Sequence, residues 1–172
     1  NYWNADTLAV FPYTQCLPIG AVYTVKYTAK DGCENISTCQ FTMTIQDLVP
    51  PVTACDEWTQ VGLGLNGTAL VDAISFDDGS YDNCAPVHFK ARRMDVNACQ
   101  IDTVFHDQVK FCCSDINDTI NVILRVYDVD PGTGVVSIGA FEGHYNDCMV
   151  QVLVEDKIKP ICTAPANVTV TC

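Results

Sequence analysis

Eleven cysteines in 172 residues constrain this chain more than any other feature. They stand at Cys16, Cys33, Cys39, Cys55, Cys84, Cys99, Cys112, Cys113, Cys148, Cys162 and Cys172. Zinc sites bring close pairs with CxxC or HxxxH spacing, and only Cys112 and Cys113 are close here; neighbours of that kind chelate poorly. A disulfide framework is the favoured reading, and it places the chain outside the cytosol, extracellular or on a cell surface. The odd count leaves at least one cysteine without a partner inside the chain.

Strand-like alternation fills the space between the cysteines. In "AVYTVKYTAK", Val22, Thr24, Lys26 and Thr28 share one face and Tyr23, Val25 and Tyr27 the other. "CQFTMTIQD", "TINVILRVYDVD" and "CMVQVLVED" alternate in the same way and are rich in β-branched and aromatic residues. Turn signals separate them: "KDGCEN", "LNGTA", "DDGS" and "DVDPGTG". "ARRMDVNACQ" is the nearest approach to an amphipathic helix and is short. The expected fold class is all-β, with antiparallel immunoglobulin-like sandwich modules. The formal net charge of −12 argues against nucleic acid or an anionic membrane as a partner. No apolar run of about 20 residues is present, so no membrane insertion is expected. The opening "NYWNAD" lacks a basic and then apolar leader, which reads as a mature or internal segment of an exported protein.

An internal repeat organises the chain. "CQFTMTIQDLVPP", from Cys39 to Pro51, matches "CMVQVLVEDKIKP", from Cys148 to Pro160, at a shift of 109 residues. Beyond it, Cys55 and Val61 align with Cys162 and Val168 at a slightly shorter shift. One complete module is expected at 49–157, the C-terminal part of another at 1–48, and the first strand of a third at 158–172. A half sandwich exposes an open edge, and a single strand cannot bury its apolar face alone. Either the segment belongs to a longer tandem array, or copies complete one another head to tail, with "PANVTVTC" donated to a neighbour's front half. The expected partners are therefore neighbouring copies or repeats of the same protein.

"LPIGAVYTVKYTAKDGCENISTCQFTMTIQD" resembles the end of a hyalin-repeat (HYR) module, with its V-x-Y-T-A-x-D strand and turn and its C-x-F-x-V-x-V-x-D strand. "PICTAPANVTVTC" resembles the C-P-x-N-V-T-V start of the same module. The middle, with "GSYDNC", "RRMD", "FCCSD" and "LRVYDVD", is similar to cysteine-rich modules of giant surface proteins of Bacteroidota. The resemblance implies an immunoglobulin-like fold, tandem repetition, secretion and an adhesive or structural role. It carries no catalytic residues to transfer. The chain departs from the pattern at Cys33 in its turn and in the long "DVDPGTGVVSIGAFEGHYND" connection.

Asp77, Asp78 and Asp82 cluster in "DDGSYDNC", and Asp128 and Asp130 in "YDVDPG". Calcium takes six to eight oxygen ligands and accepts loop carboxylates, so these five are the candidate metal ligands. The competing reading is a solvated turn, with Asp77 or Asp78 paired to Arg92 or Arg93. A calcium-dependent module binding surface glycans is the alternative function. A glycosidase pair needs a cleft that nothing in the spacing marks, and GxSxG and HExxH are absent. His88, His106 and His144 are far apart, so no enzyme is expected. The bridges considered are Cys33–Cys39 across a short turn, Cys55–Cys84, Cys99–Cys112, Cys113–Cys148 and Cys16–Cys172. Cys112 and Cys113 are assigned different partners because adjacent strand residues face opposite ways. Asn35, Asn66, Asn117 and Asn167 head N-linked sequons, and Thr7, Thr103 and Thr119 lie in Asp-Thr-apolar triplets of the kind that Bacteroidota glycosylate. The plain alternative is that threonine is a good strand residue.

Overall fold

The structure is a computed structural model and describes residues 19–136, 143–164 and 166–170. Among these, strands dominate and helix is confined to two single 3-10 turns, Ala73–Phe76 and Cys113–Asp115. The chain divides into two compact units, residues 1–49 with 83–85, and residues 50–82 with 86–172.

In the first unit, β1 (Val22–Lys30) and β2 (Ile36–Thr44) form an antiparallel hairpin. The connecting turn is closed by Asp31, whose carboxylate accepts the amides of Cys33 and Asn35 and the side-chain amide of Asn35, each at 2.9 Å. Such a side-chain-to-backbone loop is what aspartate offers a turn. The alternation set out above holds, but most residues on both strands are exposed.

The second unit holds β3 (Trp58–Gly62), β4 (Thr68–Asp72), β5 (His88–Arg93), β6 (Gln108–Cys112), β7 (Thr119–Tyr127) and β8 (Tyr145–Glu155). One sheet has the order β3-β8-β7-β5, and a second pairs β4 with β6. β3 runs parallel to β8, and the other pairs are antiparallel. Alternation places Ile120, Val122, Leu124 and Val126 of β7 and Val150, Val152 and Val154 of β8 in one core, which Val109 and Phe111 of β6 fill from the other sheet. Each such side chain contributes about 1.5–3 kcal/mol when fully buried. "ARRMDVNACQ" forms no helix: β5 runs on through Arg93, and the chain then turns.

The repeat is visible in the ladders. Cys39 of β2 lies opposite Tyr27, at the fourth pair from the hairpin mouth. Cys148 of β8 lies opposite Leu124, again at the fourth pair. Beyond the strands, Asp47 accepts the amide of Val49 at 3.0 Å and Asp156 that of Ile158 at 2.9 Å, so the exit turns match as well. The described part of 158–172 joins no ladder and is exposed.

Candidate functional site

The acidic turn is held by its own backbone. Asp77 accepts the amides of Gly79 at 3.2 Å and Ser80 at 3.0 Å, and Gly79 adopts a φ of +96°, which a side chain would resist. The Ser80 hydroxyl accepts the amide of Ala54 and donates to its carbonyl, at 2.9 and 3.0 Å. Asp78 is exposed and Asp82 half-buried. At the second acidic stretch, Asp128 is buried and accepts the amide of His144 at 3.1 Å, while its other oxygen lies 2.9 Å from His144 Nδ1. Asp130 instead accepts the amide of Gly132 at 2.8 Å. No three of these five carboxylates converge among the described residues; the one grouping of metal-type ligand atoms there is Cys99, Cys112 and Asp115, whose two sulfurs are joined.

Among the described residues two bridges are formed, Cys55–Cys148 and Cys99–Cys112, with Cα separations of 6.3 and 5.7 Å. The second is one of the pairings considered above. The first replaces both Cys55–Cys84 and Cys113–Cys148. Its cause is the parallel pairing of β3 with β8, which carries the segment before β3 to the start of β8. Cys113 points away from the core, in the 3-10 turn after β6, and its thiol is exposed. Cys33–Cys39 does not form either: both thiols are free, with Cys33 in the turn and Cys39 roughly 10 Å up the strand from the hairpin mouth, beyond disulfide reach. Cys16–Cys172 lies outside the described residues.

The buried polar groups are ones that sequence reasoning missed. Arg93 and Asp115 are buried and form a two-pronged ion pair with both contacts at 2.8 Å. Asp115 also accepts the amide of Cys112 at 2.9 Å and the side-chain amide of Asn97 at 2.6 Å. Burial alone would raise the Asp115 carboxyl, but these bonds and the Arg93 charge outweigh it and hold it below the ordinary carboxylate value. Lys90 is buried with Asp107 at 2.5 Å. Arg125 donates to Asp147 at 2.6 and 2.7 Å and lies 4.1 Å from the Phe105 ring centre and 3.8 Å from that of Tyr145. The expected pairing of Asp77 or Asp78 with Arg92 or Arg93 is absent, because Arg93 takes Asp95 and Asp115 while Arg92 donates to the carbonyl of Arg93. The bond from His106 holds Asp102 low as well. A general acid needs the opposite shift.

The remaining feature is an edge. Among the described residues no strand covers the outer side of β2, whereas the same side of β8 carries β3. A groove of about 230 Å³ lies at the open end of the hairpin, where Ile19 and Gly20 on the β1 side meet residues 44–48. On the adjoining face, Tyr27 and Phe41 stack with ring centres 5.7 Å apart and are 55% and 47% exposed. The equivalent of Phe41 in β8 is Val150, which is wholly buried. Of the sugar-acceptor candidates, Asn35, Asn66, Asn117, Asn167, Thr103 and Thr119 are exposed, and Thr7 lies outside the described residues. No helix among the described residues is long and apolar enough to cross a membrane. Compared with protein-family models, with curated proteins and with solved structures, the chain matches none.

Proposed function

We propose that this chain is a structural repeat segment of a secreted, disulfide-stapled surface fibre or adhesin, built from hyalin-repeat-type immunoglobulin-like modules that complete one another head to tail. The observation that carries this reading is the β1–β2 hairpin. It repeats the final hairpin of the second unit step for step, yet among the described residues no strand covers its outer edge, and Tyr27 and Phe41 on its apolar face are exposed. A lone two-stranded hairpin is marginal in water, and an open edge is a template for another strand.

The strand order supports the fold reading. The antiparallel strands β8, β7 and β5 on one side and β4 and β6 on the other are compatible with a two-sheet sandwich, to which β3 adds a parallel strand beside β8. The two bridges fit an oxidising compartment. The net charge of −12 favours solubility and disfavours side-by-side clumping. The function is mechanical: ladders carry load, and bridges and buried ion pairs hold each module against unfolding. Electron microscopy of the oxidised chain at rising concentration tests this. Linear threads of regular beads are expected; single-copy globules at every concentration would overturn it.

A further inference from the structure

The Cys55–Cys148 bridge has a second, unformed counterpart. Cys148 recurs as Cys39, at the same step of the same kind of ladder. Cys55 recurs as Cys162, with Val61 and Leu63 recurring as Val168 and Val170 at unchanged spacing. Cys39 and Cys162 are both exposed and unbridged, and Val168 and Val170 are 82% and 86% exposed. One chain thus displays both halves of a bridge that its second unit has already closed once.

We propose that Cys162 of one copy forms a disulfide with Cys39 of a second copy as the segment carrying Val168 and Val170 of the first adds to the outer edge of the second copy's β2 as a parallel strand. The proposal rests on the fibre reading above and gives it a partner, a register and a covalent lock. In the second unit Val61 faces Val154, Gln151 donates its amide to the Glu57 carbonyl at 3.2 Å, and Leu63 donates to that of Glu155 at 2.9 Å. Carried across the repeat, Val168 faces Ile45, Thr42 donates to the Ala164 carbonyl, and Val170 donates to that of Gln46. Ile45 donates its amide to Ala21 on the β1 side. Strand alternation therefore turns the Thr42 and Thr44 amides outward, as the added strand requires.

Forming the bond removes two protons and two electrons from the pair of thiols. A small-molecule disulfide of the oxidised glutathione class takes them up and leaves as two thiols. Because the donor tail and the acceptor edge lie on different parts of the chain, the contact is heterologous and propagates as an open chain of copies.

The test uses the full chain in a buffer of reduced and oxidised glutathione, read by non-reducing electrophoresis and by mass spectrometry of cross-linked peptides. The unmodified chain gives a ladder of oligomers that reductant collapses. Cys39→Ser and Cys162→Ser each give monomer alone, and an equimolar mixture gives a dimer and nothing larger, joined through Cys39 and Cys162. In that mixture, Val170→Pro placed in the Cys39→Ser copy, which donates the tail, slows dimer formation about fivefold, and placed in the other copy leaves it unchanged. Far-UV circular dichroism confirms that every variant is folded. The proposal is overturned if the mixture yields no more dimer than either variant alone, if Cys33 or Cys113 joins the dimer, if the Cys39–Cys162 peptide comes from species of monomer mass, or if Val170→Pro acts alike in both copies. Beaded threads that persist while the mixture yields no dimer would sink the bridge alone. Loss of both would sink the fibre reading with it.

Discussion

Asp115→Asn removes one negative charge and leaves Arg93 buried against an amide. In the native unit Arg93 is wholly buried, and both Asp115 oxygens receive its guanidinium at 2.8 Å. Breaking one side of such a pair costs about 3–5 kcal/mol, because the remaining charge stays in a poorly solvating place. Asp95, 2.7 Å away with a partly exposed side chain, still offers Arg93 a carboxylate and puts the expected loss near the lower bound, about 3 kcal/mol. For a unit of about 120 residues, that is a large share of a total of about 5–15 kcal/mol and lowers the melting midpoint by about 10 °C. Urea unfolding of the oxidised protein measures it, as a shifted midpoint with an unchanged slope. Arg93→Met alone costs a similar amount. The double variant costs far less than the sum, since the second change removes the charge that the first left unpaired. Additivity within about 0.5 kcal/mol, or a loss below about 1 kcal/mol for Asp115→Asn, would refute the reasoning.

The two bridges close loops of different length, with separations of 93 and 13 residues. Chain-entropy arguments give about 4.6 kcal/mol for Cys55–Cys148 and about 2.9 kcal/mol for Cys99–Cys112, so Cys55→Ser should shift the denaturant midpoint further than Cys112→Ser, and the reverse order would contradict this. Asp102, Asp107 and Asp115 have folded values below their ordinary 3.8. The folded state therefore binds fewer protons than the unfolded one. The stability these groups supply is present above the ordinary value and drains away as pH falls through the depressed ones. Melting temperatures followed from neutral pH to about pH 2 should hold until the acid limb and then fall, less steeply in Asp115→Asn; a steady loss from neutrality downward would count against these pairs. Arg125→Lys keeps the charge but loses the planar fork on Asp147 and the stacking on Phe105 and Tyr145. A loss of about 1–2 kcal/mol in urea is expected, and none would mean that the stacked geometry contributes nothing.

Period-two patterning made the core face of β7 and β8 readable, because a strand with one buried side must alternate. Ile120, Val122, Leu124 and Val126 follow directly from "TINVILRVYDVD". Cys99–Cys112 was among the pairings considered, but closeness in the chain did not single it out, since Cys33 and Cys39 are closer and stay unbridged. Cys55–Cys148 was not readable, since it depends on β3 lying parallel to β8, and no local pattern encodes that pairing. Lys90 and Arg125 look like solvent-facing charges in their strands. What buries them lies elsewhere in sequence: Phe105 bridges to Val136 and packs on Arg125, and the Gly134 carbonyl accepts from Lys90. The acidic clusters carried a turn signal and a calcium signal at once. Asp77 and Asp130 spend their oxygens on amides two and three residues ahead, a local choice that composition cannot distinguish from chelation.

The central claim is that the outer edge of β2 is completed by another copy. Amide exchange at Thr42 and Thr44, followed by nuclear magnetic resonance over a dilution series, tests it most directly. Both amides should exchange freely in dilute protein and slow as copies associate, in step with the rise in mass. Slow exchange in a dilute monomer, or fast exchange where large assemblies are already present, would contradict the account.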